Sequence, residues 1–251
     1  MAVFKIVVEG KDDIVFVSRL VESMRGSGPL RWKGVDKNNK VAVDGRLFGN
    51  GYVDDGRDVV AIEELRGVYI GERPNPSLKI VKTGNREMKV DHIVGIFDAD
   101  DAKNFLGHDV EYGGLPARRE YIEKKFSSLP ASKRFFFMPD DRTNGTMEDL
   151  AMAIVKPEFK FIVEKSWPSY RESVRNALAK IGRNALNYSS KCTMSQFSAI
   201  LDENVARDLY WIDSLFNDML WDWNADALLP LKEFLRTAIP CLFGVGSKFN
   251  G

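Results

Sequence analysis

The stretch VFKIVVEGKDD, residues 3–13, decides how the chain begins. Val3–Val8 is a β-branched apolar run, the composition of a strand buried on both faces of a parallel sheet. Gly10 ends it. Lys11–Met24 follows with Ile14, Val17, Leu20, Val21 and Met24 at helical spacing, and Gly26 stops the helix. The opening therefore reads as strand, tight turn, helix. Glu9 stands at the strand's C-terminal end, with Asp12 and Asp13 one helical turn on.

Two further runs repeat the theme. His92–Phe97 is apolar and enters Asp98-Ala99-Asp100-Asp101. Pro116 suits the first turn of a helix reaching about Phe126. Lys133–Met138 is a third buried strand, ended by Pro139 and a polar loop, Asp140–Gly145. Thr146 then caps a short helix through Val155, with Glu148 and Asp149 in its first turn, where the helix dipole favours acids. Alternating strands and helices predict an α/β domain with a mostly parallel sheet flanked by helices. Residues 29–89 are rich in glycine and read as a β-rich insertion, with a helix around Asp58–Leu65. Beyond Lys156 the pattern is helical, at Tyr170–Ile181, Met194–Leu201 and Ala225–Ala238. The expected division is an α/β domain over 1–155 and a helical C-terminal appendage over 156–251.

Composition narrows the classes. With 44% hydrophobic residues the chain can bury a sizeable core. Its apolar runs are far too short to cross a bilayer, and the N-terminus reads as a first strand and not a signal peptide. The two cysteines, Cys192 and Cys241, cannot build a disulfide framework or a thiolate zinc site, so a cytoplasmic location is expected. The 36 basic and 36 acidic residues balance, which argues against a strongly basic nucleic-acid binder. The local pattern differs. Pro116–Arg134 carries six bases against two acids, and Asp202–Glu233 carries eight acids against two bases. The first stretch predicts a cationic face or an ordinary solvated helix.

In an open parallel sheet, ligands bind at the C-terminal ends of the strands. Three apolar runs each deliver acids there: Glu9 with Asp12 and Asp13, Asp98 with Asp100, and, through Asp140 and Asp141, Glu148 with Asp149. Residues i and i+2 of a strand face one side, so Asp98 and Asp100 can bracket one ion. Two carboxylates about 4 Å apart repel by roughly 4 kcal/mol at an effective dielectric near 20. A hard divalent cation offsets that repulsion, and oxygen-only donors suit magnesium or manganese. Any one acid after a strand has an ordinary alternative role as a helix cap or turn former. The three groups in order are the sharper signal.

At these residues the sequence resembles the Toprim family, through VVEGKDD (Val7–Asp13), IFDADD (Ile96–Asp101) and FFFMPDDRTNGTMEDLAMAI. The third segment is similar to small stand-alone Toprim proteins and OLD-type (overcoming lysogenization defect) nucleases. The resemblance covers about residues 3–155. It implies a Toprim-like fold and magnesium- or manganese-dependent cleavage of phosphodiester bonds in DNA or RNA. Glu9 would be a metal ligand or general acid/base, and Asp98 and Asp100 the metal-binding pair. Asp13, or adjacent Asp12, would be a further ligand, and Glu148 and Asp149 would admit a second ion. Lys191 is the match to a catalytic lysine of OLD-type enzymes. Arg118, Arg119 and Lys133 are candidates for phosphate contacts, which position but do not specify. No GxxxxGK[ST] loop occurs, so an ATPase would be a separate partner.

Three other readings compete. A non-catalytic Toprim-shaped module would bind nucleic acid or nucleotide and regulate a partner, with Trp211, Phe216, Trp221 and Trp223 as a docking face or as the core of the appendage. A phosphatase with an Asp-x-Asp nucleophile could use Asp140-Asp141 as its late acidic motif, but leaves Glu9-Gly10 unexplained. A manganese-dependent glycosyltransferase fits the position of Asp98-x-Asp100 yet should open with a nucleotide-base site.

Overall fold

The apolar runs do lie side by side in one sheet. A computed structural model describes residues 1–25, 30–34, 47, 49–65, 76–83, 86–99, 114–182 and 220–243. Strand β1 (Val3–Val8) leads into helix α1 (Lys11–Ser23), followed by β2 (Lys33–Gly34), β3 (Gly51–Asp54) and β4 (Val59–Glu64). A hairpin, β5 (Ile80–Thr83) and β6 (Arg86–Lys89), precedes β7 (His92–Asp98). Helix α2 (Leu115–Phe126) and β8 (Ser132–Met138) follow, then α3 (Met147–Ala153), α4 (Pro157–Phe161), α5 (Trp167–Lys180) and α6 (Leu229–Ala238). The six-stranded sheet runs β2-β3-β4-β1-β7-β8. Its four inner and right-hand strands, β4, β1, β7 and β8, are parallel, and β2 and β3 add antiparallel pairs at one edge. The protein is α/β with a mostly parallel sheet, as the alternation of elements predicts.

Residues 58–65 correct the expectation of a helix. VVAIEE forms β4, which pairs with β1 from Val3↔Val59 to Val8↔Glu64. Val59, Val60 and Ile62 are fully buried, and β-branched chains buried on both faces favour an extended strand. The 29–89 segment is thus an insertion only in part, because β4 is integral to the parallel sheet.

Period-two alternation sends the strand side chains to two cores. On one face, Val7, Ala61, Phe97 and Phe137 pack with Val81 and Met88 of the hairpin and with Ile122 and Phe126 of α2. On the other, α1 packs on β1 and β4 while α6 packs on β8 and α1. Phe136 meets Phe234 of α6 at 5.4 Å between ring centres, and Arg134 donates to the Thr237 carbonyl at 2.7 Å. Leu231 and Leu235 bury fully there.

The chain divides into two compact units, Met1–Met147 with Leu228–Gly251, and Glu148–Ala227. This division falls at 147 and 228, where the sequence reading places its boundary at 155 and one appendage over 156–251. The apolar stripe of α6 belongs to the first unit because it covers a sheet face. In the second unit, α4 continues through one π-helical turn, Ile162–Ser166, into α5, which has no buried residue. Val155 bridges Trp221, and Asp222 donates to the Ile154 carbonyl at 2.7 Å. The predicted helix at 194–201 lies outside the described residues.

One glycine is required by packing. A Cβ on Gly95 of β7 would lie 2.4 Å from the Phe97 ring and 2.7 Å from that of Phe135. Gly95→Ala is therefore expected to lose about 1–3 kcal/mol of stability through overpacking. Urea unfolding reads this directly. An unchanged midpoint and slope would mean that the two rings move aside freely.

Candidate functional site

The parallel register brings the C-terminal ends of β1 and β7 together. Phe4↔His92 through Val7↔Gly95 are partners, so the residues that follow Val8 and the last residue of β7 meet at one edge. Glu9 and Asp98, 89 positions apart, are in contact there: Glu9 Oε1 accepts the Asp98 backbone N–H at 3.1 Å. Asp98 Oδ1 in turn accepts the Met147 N–H at 2.7 Å. The strand β8 closes the edge, with Asp98 in register with Met138 and the Ala99 N–H donating to the Met138 carbonyl at 3.2 Å.

A cation is already present in the chain. Arg118 of α2 donates from Nη2 to Glu9 Oε1 at 2.6 Å, with its side chain 1% exposed and that of Glu9 16% exposed. The start of α2 is fixed by Asn144, whose Oδ1 accepts the Leu115 N–H at 2.7 Å. Gly114 precedes it at φ 83°, a left-handed conformation open to glycine at no steric cost, and the Arg118 N–H closes the first turn on its carbonyl at 3.0 Å. Arg118 is therefore a buried counter-ion and not part of an exposed cationic face. A guanidinium from within the protein thus offsets part of the negative charge at this edge, beside any cation that binds there.

The other predicted residues have their own local partners or positions. Asp13, buried, accepts the Gly10 N–H at 2.8 Å from the third position of α1, which is half of a capping box. Arg119 pairs with Asp141 at 2.7 Å and lies over the Phe137 ring, 4.7 Å from its centre. Lys133 sits at the opposite, N-terminal edge of the sheet, where Nζ donates to the Leu129 carbonyl at 2.7 Å and the Ser127 carbonyl at 3.3 Å beyond the end of α2. With Arg134 on Thr237, four of the six bases in the 116–134 stretch are engaged within the protein. Of these four only Arg118 is buried, while Arg119 and Lys133 are half-buried and Arg134 is exposed. Glu148 and Asp149 lie in the first turn of α3 and belong to the second unit, with Glu148 buried. Asp100 and Lys191 lie outside the described residues, as do Trp211 and Phe216. Trp221 and Trp223 are buried, so they serve the core of their unit and not a docking face.

Asp140 and Asp141 are turn formers. Asp140 Oδ1 accepts the N–H groups of Arg142 and Thr143 and the Thr143 hydroxyl. Burial works to raise its pKa, but those hydrogen bonds outweigh it and hold the carboxyl below the usual range. Asp141, at φ 64°, accepts the Phe137 N–H on Oδ1 at 3.0 Å. The hydrogen bonds of this turn account for both residues without a catalytic role. Burial pushes the Cys241 thiol up to about 12, with Asp58 and Asp55 adding to the effect, so it is no nucleophile at neutral pH.

Two features escaped the sequence reading. Buried Lys5 and half-buried Glu63 form an ion pair at 2.6 Å across β1 and β4. The signal was a lysine in the middle of an apolar strand, a position that demands a partner. The register also carries Glu64 to the acidic edge beside Val8. The VVAIEE run would have announced it had β4 been read as a strand.

Glu9 and Asp98 offer carboxylate oxygens at the edge, which is the donor chemistry of magnesium. The Glu9 carboxylate uses Oε1 for both of its hydrogen bonds. Among the described residues no three His, Cys, Asp or Glu side chains converge as a finished cage, and no helix is long and apolar enough to cross a membrane. The donor type fits a hard cation, while the described donors fall short of a full set.

Comparison with known proteins adds a family without an activity. The family model described as "Protein of unknown function (DUF3226)" matches residues 3–240. No curated protein matches the chain. Among solved structures, it is similar to the crystal structure of hypothetical protein PH0156 from Pyrococcus horikoshii OT3, at 14% identity over 96% of this chain and 98% of that one, with a TM-score of 0.45.

Proposed function

This chain belongs to the DUF3226 family, and we propose that it is a magnesium-dependent nuclease of the Toprim class acting on phosphodiester bonds of DNA or RNA. One observation carries the reading: Glu9, at the end of β1, touches Asp98, at the end of the adjacent parallel β7, as the Glu-Gly and Asp-x-Asp motifs require. Contact across 89 residues is what the motif order asks for, and the parallel pairing of β1 with β7 supplies it. Glu9 and Asp98 would hold the ion. Asp13, Asp100, Glu148 and Asp149 are carried as further ligands, and Lys191 as a catalytic residue, by the resemblance alone. Bound there, magnesium would orient a phosphate, stabilise charge on its oxygens and lower the pKa of a water.

The chain's own groups do the rest. The Asp98 N–H and Arg118 fix the rotamer of Glu9. The Met147 N–H fixes that of Asp98. Rigid carboxylates keep their geometry as a phosphate arrives, which is the condition for positioning to lower a barrier.

The test is incubation of the purified protein with supercoiled plasmid, single-stranded DNA and RNA in Mg²⁺, Mn²⁺ or EDTA. Cleavage of at least one substrate in Mg²⁺ or Mn²⁺, and none in EDTA, is expected. Equal product in EDTA would remove the metal-dependent reading. A second reading, a non-catalytic module that binds nucleic acid or nucleotide, is favoured by the Arg118–Glu9 pair, since a permanent internal cation can stand where a metal would. Retention of a labelled oligonucleotide without cutting in any metal would decide for it.

A further inference from the structure

We propose that Arg118 is a positioning residue and built-in counter-ion for Glu9, which holds Oε1 inward, leaves Oε2 as the single ligand atom and weakens the site's hold on divalent cations. The inference rests on the metal-binding reading above and specifies how that site is tuned.

Three observations lead to it. Glu9 Oε1 receives both the Arg118 guanidinium at 2.6 Å and the Asp98 N–H at 3.1 Å. The carboxylate therefore cannot turn to chelate through both oxygens without breaking these bonds. Arg118 is 1% exposed, so water does little to screen its charge, and an arginine does not shed its proton. Finally, α2 delivers Arg118 from a start that Asn144, in the loop after β8, caps by accepting the Leu115 N–H, and Ile122 and Phe126 bury the same face of the helix. A divalent ion on Oε2 would share one carboxylate with a fixed positive charge. The resulting repulsion corresponds to at least about tenfold in affinity, or about 1.4 kcal/mol. In return, the half-buried Glu9 carboxylate has a partner in the apo site, and the acids can gather before any ion binds.

A purely structural role for Arg118 makes the opposite forecast: its removal should loosen the site and weaken binding. Calorimetric titration with MgCl₂ and MnCl₂ separates the two, using wild type, Arg118→Met, Arg118→Gln, Arg118→Lys and the double variant Glu9→Gln/Arg118→Met. Each is first checked for native circular dichroism. Arg118→Met is expected to bind Mn²⁺ about tenfold more tightly than wild type and to show a larger rise of Tm with metal, because the ion takes over as the partner of Glu9. If Arg118→Met does not fold, Arg118→Gln, neutral but able to donate a hydrogen bond, carries the same expectation. Arg118→Lys keeps the charge and should restore wild-type affinity, while the double variant should lose the gain. Wild type binding metal, with folded neutral variants binding no more tightly, overturns this proposal and leaves the nuclease reading intact. Neutral variants binding metal while wild type binds none would uphold the counter-ion role and remove the nuclease reading. No binding by any of them overturns both.

Discussion

Asp98→Asn is expected to reduce magnesium-dependent cleavage by roughly a thousandfold or more while the protein keeps its fold. The choice of asparagine follows from the geometry. Asp98 Oδ1 accepts the Met147 N–H at 2.7 Å, and the carbonyl oxygen of asparagine can take the same bond. What the substitution removes is the charge, and what it introduces is an amide N–H₂ that cannot bind a cation. The backbone contacts at this point, Asp98 N–H to Glu9 and Ala99 N–H to Met138, do not depend on the side chain. Asp98→Ala is the informative control. It removes the acceptor as well, leaving the Met147 N–H without that partner, and should cost about 1–3 kcal/mol of stability. Asn and Ala variants equally inactive but unequally stable would assign the loss of activity to charge. An Asp98→Asn protein that cuts at the wild-type rate would move the chemistry to another place on the molecule.

The parallel strands and their acids were readable because the physics that sets them is local. A doubly buried strand must be apolar throughout, and a turn at its C-terminal end leaves the next polar residue at the sheet edge, which is how Val3–Val8 announced Glu9 and His92–Phe97 announced Asp98. Two kinds of information were not local. Residues 59–64 carry apolar chains at every position until Glu63, a pattern shared by buried strands and buried helices, and only pairing with β1 selects the strand. Likewise, a basic run on a helix does not say which of its members turns inward. In α2 the residue that does so is Arg118, because it falls on the Ile122 and Phe126 side of the helix, four and eight positions before them. Arg119, one position on, reaches Asp141 instead. The same reasoning explains α6, whose apolar stripe reads as a helix in sequence but names no partner. Phe136 and the face of β8 supply one from a distant part of the chain.

Glu63→Ala should be the most destabilising single substitution among the charged residues of the sheet, at about 3 kcal/mol. Lys5 lies mid-strand with 2% exposure, and its ammonium donates to Glu63 Oε2 and to the Ser77 carbonyl, both at 2.6 Å. Ser77 Oγ donates to the other Glu63 oxygen at 2.5 Å, so the pair ties β1 and β4 to the segment before β5. Removing the carboxylate leaves a buried cation with one acceptor. The estimate is set at the lower end of the usual range because Glu63 is 18% exposed and a cavity of about 340 Å³ beside the pair can admit water. Lys5→Met combined with Glu63→Leu should return most of the lost stability, since apolar groups of similar size replace both charges at little net cost. The variant also carries a pH signature. Burial lowers the Lys5 pKa below its ordinary 10.5 and Glu63 pulls it back up, so without Glu63 it falls further. Between the folded and unfolded pKa the unfolded chain binds more protons, and stability then rises with pH. The deficit of Glu63→Ala, measured by urea unfolding, should therefore shrink between about pH 7 and about pH 10. A deficit that stays constant or grows over that interval would mean that Lys5 keeps its proton, rehydrated through the cavity, and that the pair is worth no more than one on the surface.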